Sequence, residues 1–555
     1  MLATVVISLA AAVSNGRAEE GQEAPQNQGE TKPMYIQEYR VIGAKILPAV
    51  EVEEAVYPFL GPGRTSADVE KARAALEKAY QDKGFQTVQV QIPEQHVKRG
   101  IVLLEVVENK VGRLRVKGSR YFALDKIKAQ VPSLAEGKVP NFNDVTREVV
   151  SLNGWSDRRV TPTLRPGVEP GTVDIDLNVK DTFPLHGSVE LNNRYSADTT
   201  QLRVNGSMSY NNLWQLGHSA GGSFQVSPQD LNQVQVYSGY YIARFASIDW
   251  LSLMVQGVKQ NSNVSTLGSL AVAGRGEVIG ARALLSLPPR KDFYQSASVG
   301  MDYKHFEQEI NVAPTGTGAT ATAASSTTTP ISYYPISLSY TGTWIGKKTP
   351  PKDAGGDDKK QPVDEIKYTT DLNMSVNLHL RGMGSKSSQF DDNRFNADGN
   401  YIYFRGDLSH TQKLPWNFEL FGKVQGQIAD QPLVSSEQYG GGGLGTVRGY
   451  REAEVLGDNG GFGTVELRLP SLIGWWGRKD SELVLYGFAE GGVLTMRDPL
   501  PEQTSSYRLA SVGFGGRMKL FDYLNGSVDL ALPLITQTTT QAHNPFLSFR
   551  VWADF

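Results

Sequence analysis

The feature that most constrains the fold is a series of short segments, from residue 183 onward, in which apolar and polar side chains alternate. In residues 371–381, five apolar side chains such as Met374 alternate with six polar ones such as Asn373. Residues 201–210 and 417–428 alternate in the same way. Alternation over about ten residues is typical of strands in a transmembrane β-barrel, where one face meets lipid and the other a wet lumen.

About sixteen such segments can be counted, and turn residues separate them. They begin near residues 184, 201, 218, 234, 247, 277, 293, 332, 367, 399, 417, 461, 482, 507, 524 and 545. A soluble β-sandwich would also alternate, but the charges on the polar face and the length of the series favour a barrel. Because an even number of strands returns the chain to its starting side, the sequence predicts an all-β, 16-stranded antiparallel transmembrane barrel over residues 183–555.

The region before the barrel contains two short repeats, which we assign to residues 35–109 and 110–182. Arg-Val-Ile-Gly at residues 40–43 recurs as Arg-Val-Lys-Gly at residues 115–118. Each copy is followed by two segments with helical spacing of apolar residues and then by two alternating segments. The sequence therefore predicts two small α+β domains with the order β-α-α-β-β.

The N-terminus carries one continuous apolar stretch, residues 2–13. Its length of about 12 residues is too short for a membrane helix, which needs roughly 20. We predict a signal peptide over residues 1–18, followed by a disordered polar lead-in over residues 19–34.

Composition excludes several function classes. The 55 Lys and Arg against 58 Asp and Glu leave a net charge of -3, which does not indicate a nucleic-acid partner. Cysteine is absent, and the seven histidines show no metal-ligand spacing. The glycines at residues 440, 442 and 445 match a dinucleotide fingerprint only by composition, because no βαβ unit surrounds them. We therefore predict no enzyme, no cofactor and no metal site.

A glycine-rich stretch at residues 440–459 contains the tetrapeptide Val447, Arg448, Gly449 and Tyr450. With odd-to-even links on the outside, this stretch is the sixth outer loop. An arginine in such a loop is ordinarily solvated and contributes little. Its guanidinium could instead reach a specific carboxylate, because it is always charged and offers donors in a fixed fork.

These features together resemble a two-partner secretion outer-membrane transporter of the hemolysin/hemagglutinin secretion type. The first two resembling features are a pair of repeats similar to POTRA domains and a barrel of sixteen segments. The third is Val-Arg-Gly-Tyr in the sixth outer loop, flanked by SSEQ at residues 435–438 and GDNG at residues 457–460. The family belongs to the POTRA-plus-barrel outer-membrane superfamily.

The resemblance implies that the loop over residues 435–460 folds into the lumen. In the family its arginine pairs with the acid of a Phe-x-Asp-x-Gly motif on the barrel wall, and Phe488, Glu490 and Gly492 match that motif with Glu in place of Asp. Alternation independently places Glu490 on the lumenal face. The aromatic carboxyl-terminal residue Phe555 resembles a barrel assembly signal.

The resemblance also implies a function and a set of partners. We expect an outer-membrane pore with its POTRA domains in the periplasm, exporting a partner protein whose N-terminal secretion domain those domains bind in extended form. Outer-membrane lipid and, during biogenesis, the barrel-assembly machinery are the other expected partners, and the pore is expected to act as a monomer. Two alternatives stay open at this point, an assembly insertase of the same superfamily and a passive porin.

Overall fold

The computed structural model describes residues 33–97, 99–197, 199–245, 248–262, 264–265, 272–273, 275–288, 290–312, 325–348, 365–473, 481–521 and 523–555. The predicted signal peptide and nearly all of the lead-in lie outside the described residues. The chain divides into two compact units, one ending at Pro184 and the other beginning at Leu185. None of the described helices is long and apolar enough to cross a membrane.

The first repeat is a three-stranded sheet covered by two helices. Its elements are β1 (Met34–Ile36), β2 (Glu38–Ile42), α1 (Ala49–Val56), β3 (Gly61–Arg64), α2 (Ser66–Asp82), β4 (Val88–Gln91) and β5 (Ile101–Glu108). The sheet order is β2-β5-β4, with β2 parallel to β5, while β1 and β3 pair separately. Helix α2 begins with a capping box, in which Asp68 accepts the backbone N–H of Thr65 at 3.0 Å. Its apolar stripe, including Leu76 and Tyr80, is fully buried in the core.

The second repeat has the predicted order β-α-α-β-β. Its elements are β6 (Lys110–Lys117), α3 (Leu124–Ala129), α4 (Phe142–Leu152), β7 (Arg158–Pro166) and β8 (Thr172–Asp181), and the sheet order is β6-β8-β7. Asn141 caps α4 by accepting the backbone N–H of Asn143 at 3.0 Å. One face of the sheet packs Ile175 and Leu177 against the helices. The first repeat has this order with the additional strand pair β1 and β3.

The second unit is a closed antiparallel barrel. Its strands are β9 (Leu185–Asn192), β10 (Arg203–Leu213), β11 (His218–Val226), β12 (Gln235–Phe245), β13 (Ile248–Asn261), β16 (Arg275–Ser286), β17 (Phe293–Val312), β18 (Ser325–Tyr333), β19 (Ile336–Lys348), β20 (Glu365–His379), β21 (Tyr401–Lys413), β22 (Glu419–Ala429), β25 (Asn459–Arg468), β26 (Glu482–Thr495), β27 (Ser506–Leu520), β28 (Leu524–Pro533) and β29 (Phe546–Asp554). Strands β18 and β19 share one position, because β17 pairs with β18 along its second half and with β19 along its first. The barrel thus has sixteen positions, as predicted.

Alternation accounts for the two faces of the barrel. Apolar side chains of one parity stay exposed toward lipid, for example Met374 at 49%, Val424 at 58% and Phe514 at 65%. Side chains of the other parity face the lumen, where Glu466 and Asp529 are buried by their neighbours. The closing pair of strands, β29 and β9, is finished by the C-terminal residue: the Phe555 N–H donates to the Gly187 carbonyl, and the Gly187 N–H donates to the Phe555 carbonyl, both at 2.9 Å.

Four short strands lie between barrel strands in the described part of the chain. They are β14 (Val264–Ser265), β15 (Val272–Ala273), β23 (Tyr439–Gly441) and β24 (Val455–Gly457). A short helix, α5 (Ser387–Asn393), lies between β20 and β21, and its Phe390 is buried among aromatic rings. Beyond the barrel position shared by β18 and β19, the ladder of β17 with β18 continues from Lys304–Tyr333 to Val312–Ser325.

A buried carboxylate in the second repeat gives this domain a pH-dependent stability. Asp176 accepts a hydrogen bond from Lys117 Nζ at 2.7 Å, and this bond, with the Arg115 guanidinium, holds the pKa of the Asp176 carboxyl below its usual range. Because the folded-state pKa lies below the unfolded value of about 3.9, the stabilisation is complete above that value. It is lost as pH falls through the folded pKa.

We therefore expect Asp176→Asn to lower the free energy of opening of this sheet by about 2 kcal/mol at neutral pH. This is less than the 3–5 kcal/mol typical of a wholly buried pair, because the cations remain partly in water. Hydrogen exchange of β8 amides in the full-length protein measures the effect. The difference between variant and wild type should shrink below about pH 4, and an equal change in Glu169→Gln, an exposed carboxylate, would contradict the explanation.

Candidate functional site

The sixth outer loop, residues 430–458, runs between β22 and β25 and forms a hairpin of β23 and β24. Tyr439 pairs with Gly457 and Gly441 with Val455. An apolar cluster holds the hairpin against the barrel wall. Its buried members are Tyr439, Val447, Tyr450, Val455, Phe462, Leu494 and Leu509. Three of these come from β25, β26 and β27, so the loop packs on the inner face of the wall.

Arg448 lies at the tip of this hairpin and contacts Glu490 of β26. Its Nε donates to Glu490 Oε1 at 2.9 Å, and an NH2 hydrogen bond to the same oxygen measures 2.6 Å. The backbone N–H of Arg448 donates to Glu490 Oε2 at 2.6 Å. The guanidinium also lies over the Phe488 ring, 3.5 Å from its centre. With side chains 5% and 3% exposed, the pair is shielded from solvent.

Two further carboxylates, which the sequence reasoning missed, complete the environment of Arg448. Asp529 of β28 accepts from NH1 at 3.0 Å, and Glu466 of β25 lies 3.0 Å from NH2. Asp529 also accepts the Tyr486 hydroxyl at 2.7 Å. Polarity alternation places both acids on the lumenal face. It does not show that they lie near Arg448, because that proximity depends on the register between strands.

The acids around Arg448 are balanced by two more arginines. Arg468 Nε donates to Glu466 at 2.9 Å, and Arg517 NH2 donates to the same carboxylate at 3.0 Å. Three arginines therefore face three carboxylates. Buried charges are stable only when they are paired with opposite charges and when most of their hydrogen-bond donors and acceptors have partners. This cluster, which we call the arginine lock, satisfies that requirement for Arg448, whose side chain is almost entirely buried.

The residues after Arg448 fix the approach of the loop to the wall. Gly449 has φ +93°, and a Cβ there would lie 3.1 Å from the Ala531 Cβ, so both conformation and space favour glycine. The Tyr450 hydroxyl oxygen lies 3.0 Å from the Ala510 carbonyl oxygen and 2.7 Å from the Ile535 carbonyl oxygen, and its single hydrogen donates to one of the two. Gly492 serves packing, since a Cβ there would lie 2.2 Å from the Gly461 carbonyl oxygen.

The base of the loop is tied by a second buried carboxylate, in the SSEQ segment. Glu437 is 1% exposed and pairs with Lys304 Nζ at 2.6 Å. It also accepts the hydroxyls of Tyr333 at 2.6 Å and Tyr403 at 2.7 Å. These partners lie on β17, β18 and β21, so one side chain links the loop to three barrel strands.

Asp458, in the GDNG segment, closes the other end of the loop. It is fully buried and accepts the backbone N–H groups of Leu433 at 3.0 Å and Arg497 at 2.7 Å. The Gln438 amide donates to it at 3.0 Å. The two motifs that flank the glycine-rich stretch therefore hold its two ends together.

The tip of the loop is also bound to the first barrel strand. Glu452 accepts from Arg194 Nε at 2.7 Å, just beyond β9. The backbone N–H of Glu452 donates to the Tyr195 carbonyl at 3.0 Å. The loop thus contacts both sides of the barrel. In the described part of the chain, no group of three or more His, Cys, Asp and Glu side chains could hold a metal ion.

The first repeat offers an open strand edge on β2. In β2 the Glu38 N–H donates to Gly100 at 3.2 Å on the β5 side, so the backbone groups of Tyr39 and Val41 point away from the sheet. Neither has a backbone hydrogen-bond partner among the described residues. Such an edge can accept an additional strand.

Two further edges are closed or partly closed. On β4 the Val90 carbonyl accepts from Arg73 at 3.2 Å, and the Val88 N–H donates to Phe85 at 3.3 Å. On β7 the Asn153 side chain bonds both backbone groups of Val160, and Pro162 has no N–H to offer. Within the sheet of the first repeat, the open edge therefore lies on β2.

Comparison with known proteins gives two family matches. Residues 34–109 match the POTRA domain, ShlB-type, and residues 361–518 match the haemolysin secretion/activation protein family ShlB/FhaC/HecB. Outer membrane transporter CdiB of Escherichia coli is 26% identical over 193 residues, which are 34% of this chain and 32% of that protein. The heme/hemopexin transporter protein HuxB of Haemophilus influenzae is 20% identical over 426 residues, 74% of this chain and 67% of that protein. The match to CdiB thus spans about a third of its length.

Solved structures share the fold. CdiB from Escherichia coli has a TM-score of 0.62 at 17% identity, covering 96% of this chain and 93% of that chain. BamA from Haemophilus ducreyi lacking POTRA domains 1–3 has a TM-score of 0.51 at 14% identity, covering 94% of this chain and all of that chain.

A closed barrel of sixteen strands behind POTRA repeats defines the class: an outer-membrane protein of the POTRA-plus-barrel superfamily, with its repeats in the periplasm. Within that class, residues 34–109 match a ShlB-type domain and residues 361–518 match the ShlB/FhaC/HecB family, so the chain resembles the two-partner secretion transporters. The predictions of fold, family and location are confirmed.

The arginine lock should resist withdrawal of the loop. Val447 is fully buried beside Arg448 and the chain contains no cysteine, so Val447→Cys provides a single reporter thiol. Adding Glu490→Gln removes one of three carboxylates, and we expect a membrane-impermeant maleimide to label Cys about tenfold faster, which corresponds to 1.4 kcal/mol of lost stability. Glu502→Gln, an exposed acid, is the matched control. Equal labelling in all three backgrounds would mean that Glu490 does not hold the loop.

Proposed function

We propose that this protein is an outer-membrane translocation pore that recognises a secreted partner through its POTRA repeats and exports it in extended form. The N-terminal secretion domain of the partner binds the repeats, and the chain then passes through the barrel and folds outside. The observation that carries this proposal is the combination of an open β2 edge in the first repeat with a buried, charge-paired loop in the lumen. Passive diffusion of small solutes requires neither feature.

The contacts that hold the loop in the lumen are of a kind that suits a gated pore. Besides its apolar packing, the loop is held by buried carboxylate sites around Arg448, Glu437, Asp458 and Glu452. A buried ion pair contributes modest net stability, because its attraction is offset by desolvation. Water entering the lumen can therefore replace these contacts at moderate cost, which suits a loop that must move when a polypeptide passes.

The proposal extends to the oligomeric state, the route into the membrane and the chemistry of the pore. The pore works as a monomer in outer-membrane lipid, reaches the membrane through the barrel-assembly machinery, and makes or breaks no covalent bond. An assembly insertase of the same superfamily is the alternative. The likeness to BamA concerns the fold alone at 14% identity, whereas the family match over the barrel is to secretion proteins. Secretion is therefore the favoured function.

We expect Arg448→Ala to leave a folded barrel and to reduce export of the partner by about tenfold or more, since one lost charge-assisted network of 1.4 kcal/mol or more changes an equilibrium by that factor. Heat-modifiable gel mobility reports the folded barrel, and the amount of partner in the medium reports export. Arg448→Lys keeps the charge but not the fork, so it should give an intermediate defect. Unchanged export in Arg448→Ala would show that the arginine lock is not needed for export. A general loss of outer-membrane barrels in a strain that lacks the protein would favour the insertase.

The open edge gives a second prediction. Val41→Pro removes an N–H that points away from the sheet and leaves the β2–β5 ladder intact, so the repeat should fold while strand addition is blocked. We expect binding of the partner's secretion domain to weaken about tenfold, measured by interferometry on the full-length protein in detergent. Val90→Pro on β4 is the matched control at the opposite edge. The reverse pattern, with only Val90→Pro impaired, would move the binding edge to β4.

A further inference from the structure

The outer face of the sheet in the second repeat carries a concentrated positive charge. Side chains of one parity on β6, β7 and β8 point away from the helices, and seven of them are cationic. One is Lys110, at the start of β6. The other six, which we call the basic face, are Arg113, Arg115, Lys117, Arg159, Arg165 and Lys180. The acids of these strands on the same face are Asp174 and Asp176. The six cations of the basic face therefore exceed these acids by four charges.

The two acids lie beneath the cations. Their side chains are 4% and 1% exposed, whereas the four cations that pair with them are 41–57% exposed. Arg113 and Asp174 are 3.0 Å apart, and Arg165 and Asp176 are 3.1 Å apart. Two buried carboxylates thus orient four cationic side chains and leave part of every one in solvent.

The remaining two cations are not compensated. Arg159 and Lys180 lie directly opposite each other on β7 and β8. Like charges at opposed positions destabilise a sheet, and neither has a carboxylate partner among the described residues. The fold therefore retains an unfavourable pair on this face, where neutral side chains would serve the sheet better. An anionic partner would relieve the repulsion.

The spacing of the cations indicates the shape of that partner. Residues 113, 115 and 117 follow one another at every second position of β6, which in a strand is a repeat of roughly 6.6–6.8 Å. An extended polypeptide has the same repeat between alternate side chains. Carboxylates at alternate positions of an extended chain would therefore meet successive cations, and arginine favours carboxylates through paired donors.

We propose that the basic face binds an acidic, extended segment of the exported partner, with carboxylates at alternate residues. This inference rests on the proposed function and deepens it by giving a chemical class to part of the partner. Because Pro162 and Asn153 close the β7 edge, the segment lies across the face and does not add a strand there.

The test uses full-length protein in nanodiscs of zwitterionic phosphatidylcholine and a labelled synthetic peptide of alternating Glu and Ser. We expect saturable binding that weakens with salt, because exposed charges are screened. A Gln–Ser peptide should not bind, and a peptide with the same Glu content in two blocks should bind at least threefold more weakly. These peptide arms test charge and spacing without altering the protein.

On the protein side, Arg159→Glu with Lys180→Glu should weaken binding of the alternating peptide at least tenfold. Both residues lie outside the buried aspartate network, so the repeat should stay folded. Lys126→Glu with Lys128→Glu on α3 makes the same charge change elsewhere in the domain and should leave binding unaltered. Equal loss in both double variants, or no binding by the wild type, would overturn the inference. Preference for phosphatidylglycerol vesicles over the peptide would instead assign the face to lipid headgroups and also overturn it.

An export measurement separates this inference from the proposed function. If the wild type exports its partner and the Arg159→Glu, Lys180→Glu variant does so equally well, the basic face is not a partner site although the pore function stands. If a deletion strain exports the partner normally, the proposed function itself fails. Reduced export in the variant, with normal barrel folding, supports both.

Discussion

The arrangement of the lumen depends on the need of one buried guanidinium for acceptors. Arg448 is almost completely removed from solvent, and an unpaired buried charge would cost several kcal/mol. No single strand provides enough carboxylates, so Glu466, Glu490 and Asp529 come from β25, β26 and β28. These strands must keep their mutual register for the cluster to form. The loop and the wall are therefore stabilised by the same contacts.

The distribution of the anchors explains why the loop is both well defined and releasable. Apolar packing of Val447 and Tyr450 is confined to one side of the wall. Near its base, Leu433 and Val434 join a second apolar cluster. The loop relies otherwise on charged and hydrogen-bonded side chains, which water can satisfy nearly as well once the lumen is hydrated. A loop held mainly by buried apolar surface would lose that surface to water on moving, and would resist withdrawal more strongly.

The fold could be predicted from the sequence because strand alternation is local. Within each barrel strand, consecutive residues face lipid and lumen in turn. The number of strands and the lumenal position of Glu490 could therefore be predicted from each segment alone, without knowing which strands pair. Asp529 and Glu466 were not predicted to join Arg448, since their proximity depends on barrel curvature and register between strands that are distant in sequence. The helix α5 was missed because its one buried anchor, Phe390, depends on aromatic partners from three other segments. The open edge of β2 likewise follows only from the directions of hydrogen bonds.

Glutamate at position 490, where the related motif has aspartate, is compatible with this geometry for a specific reason. One oxygen of Glu490 accepts from the side chain of Arg448 while the other accepts from its backbone N–H. To span both groups, the carboxylate must extend from the wall to the guanidinium, which lies over the Phe488 ring. The additional methylene provides that reach. A shorter acid would have to draw the loop closer to the wall, where a Cβ on Gly449 would already lie 3.1 Å from the Ala531 Cβ.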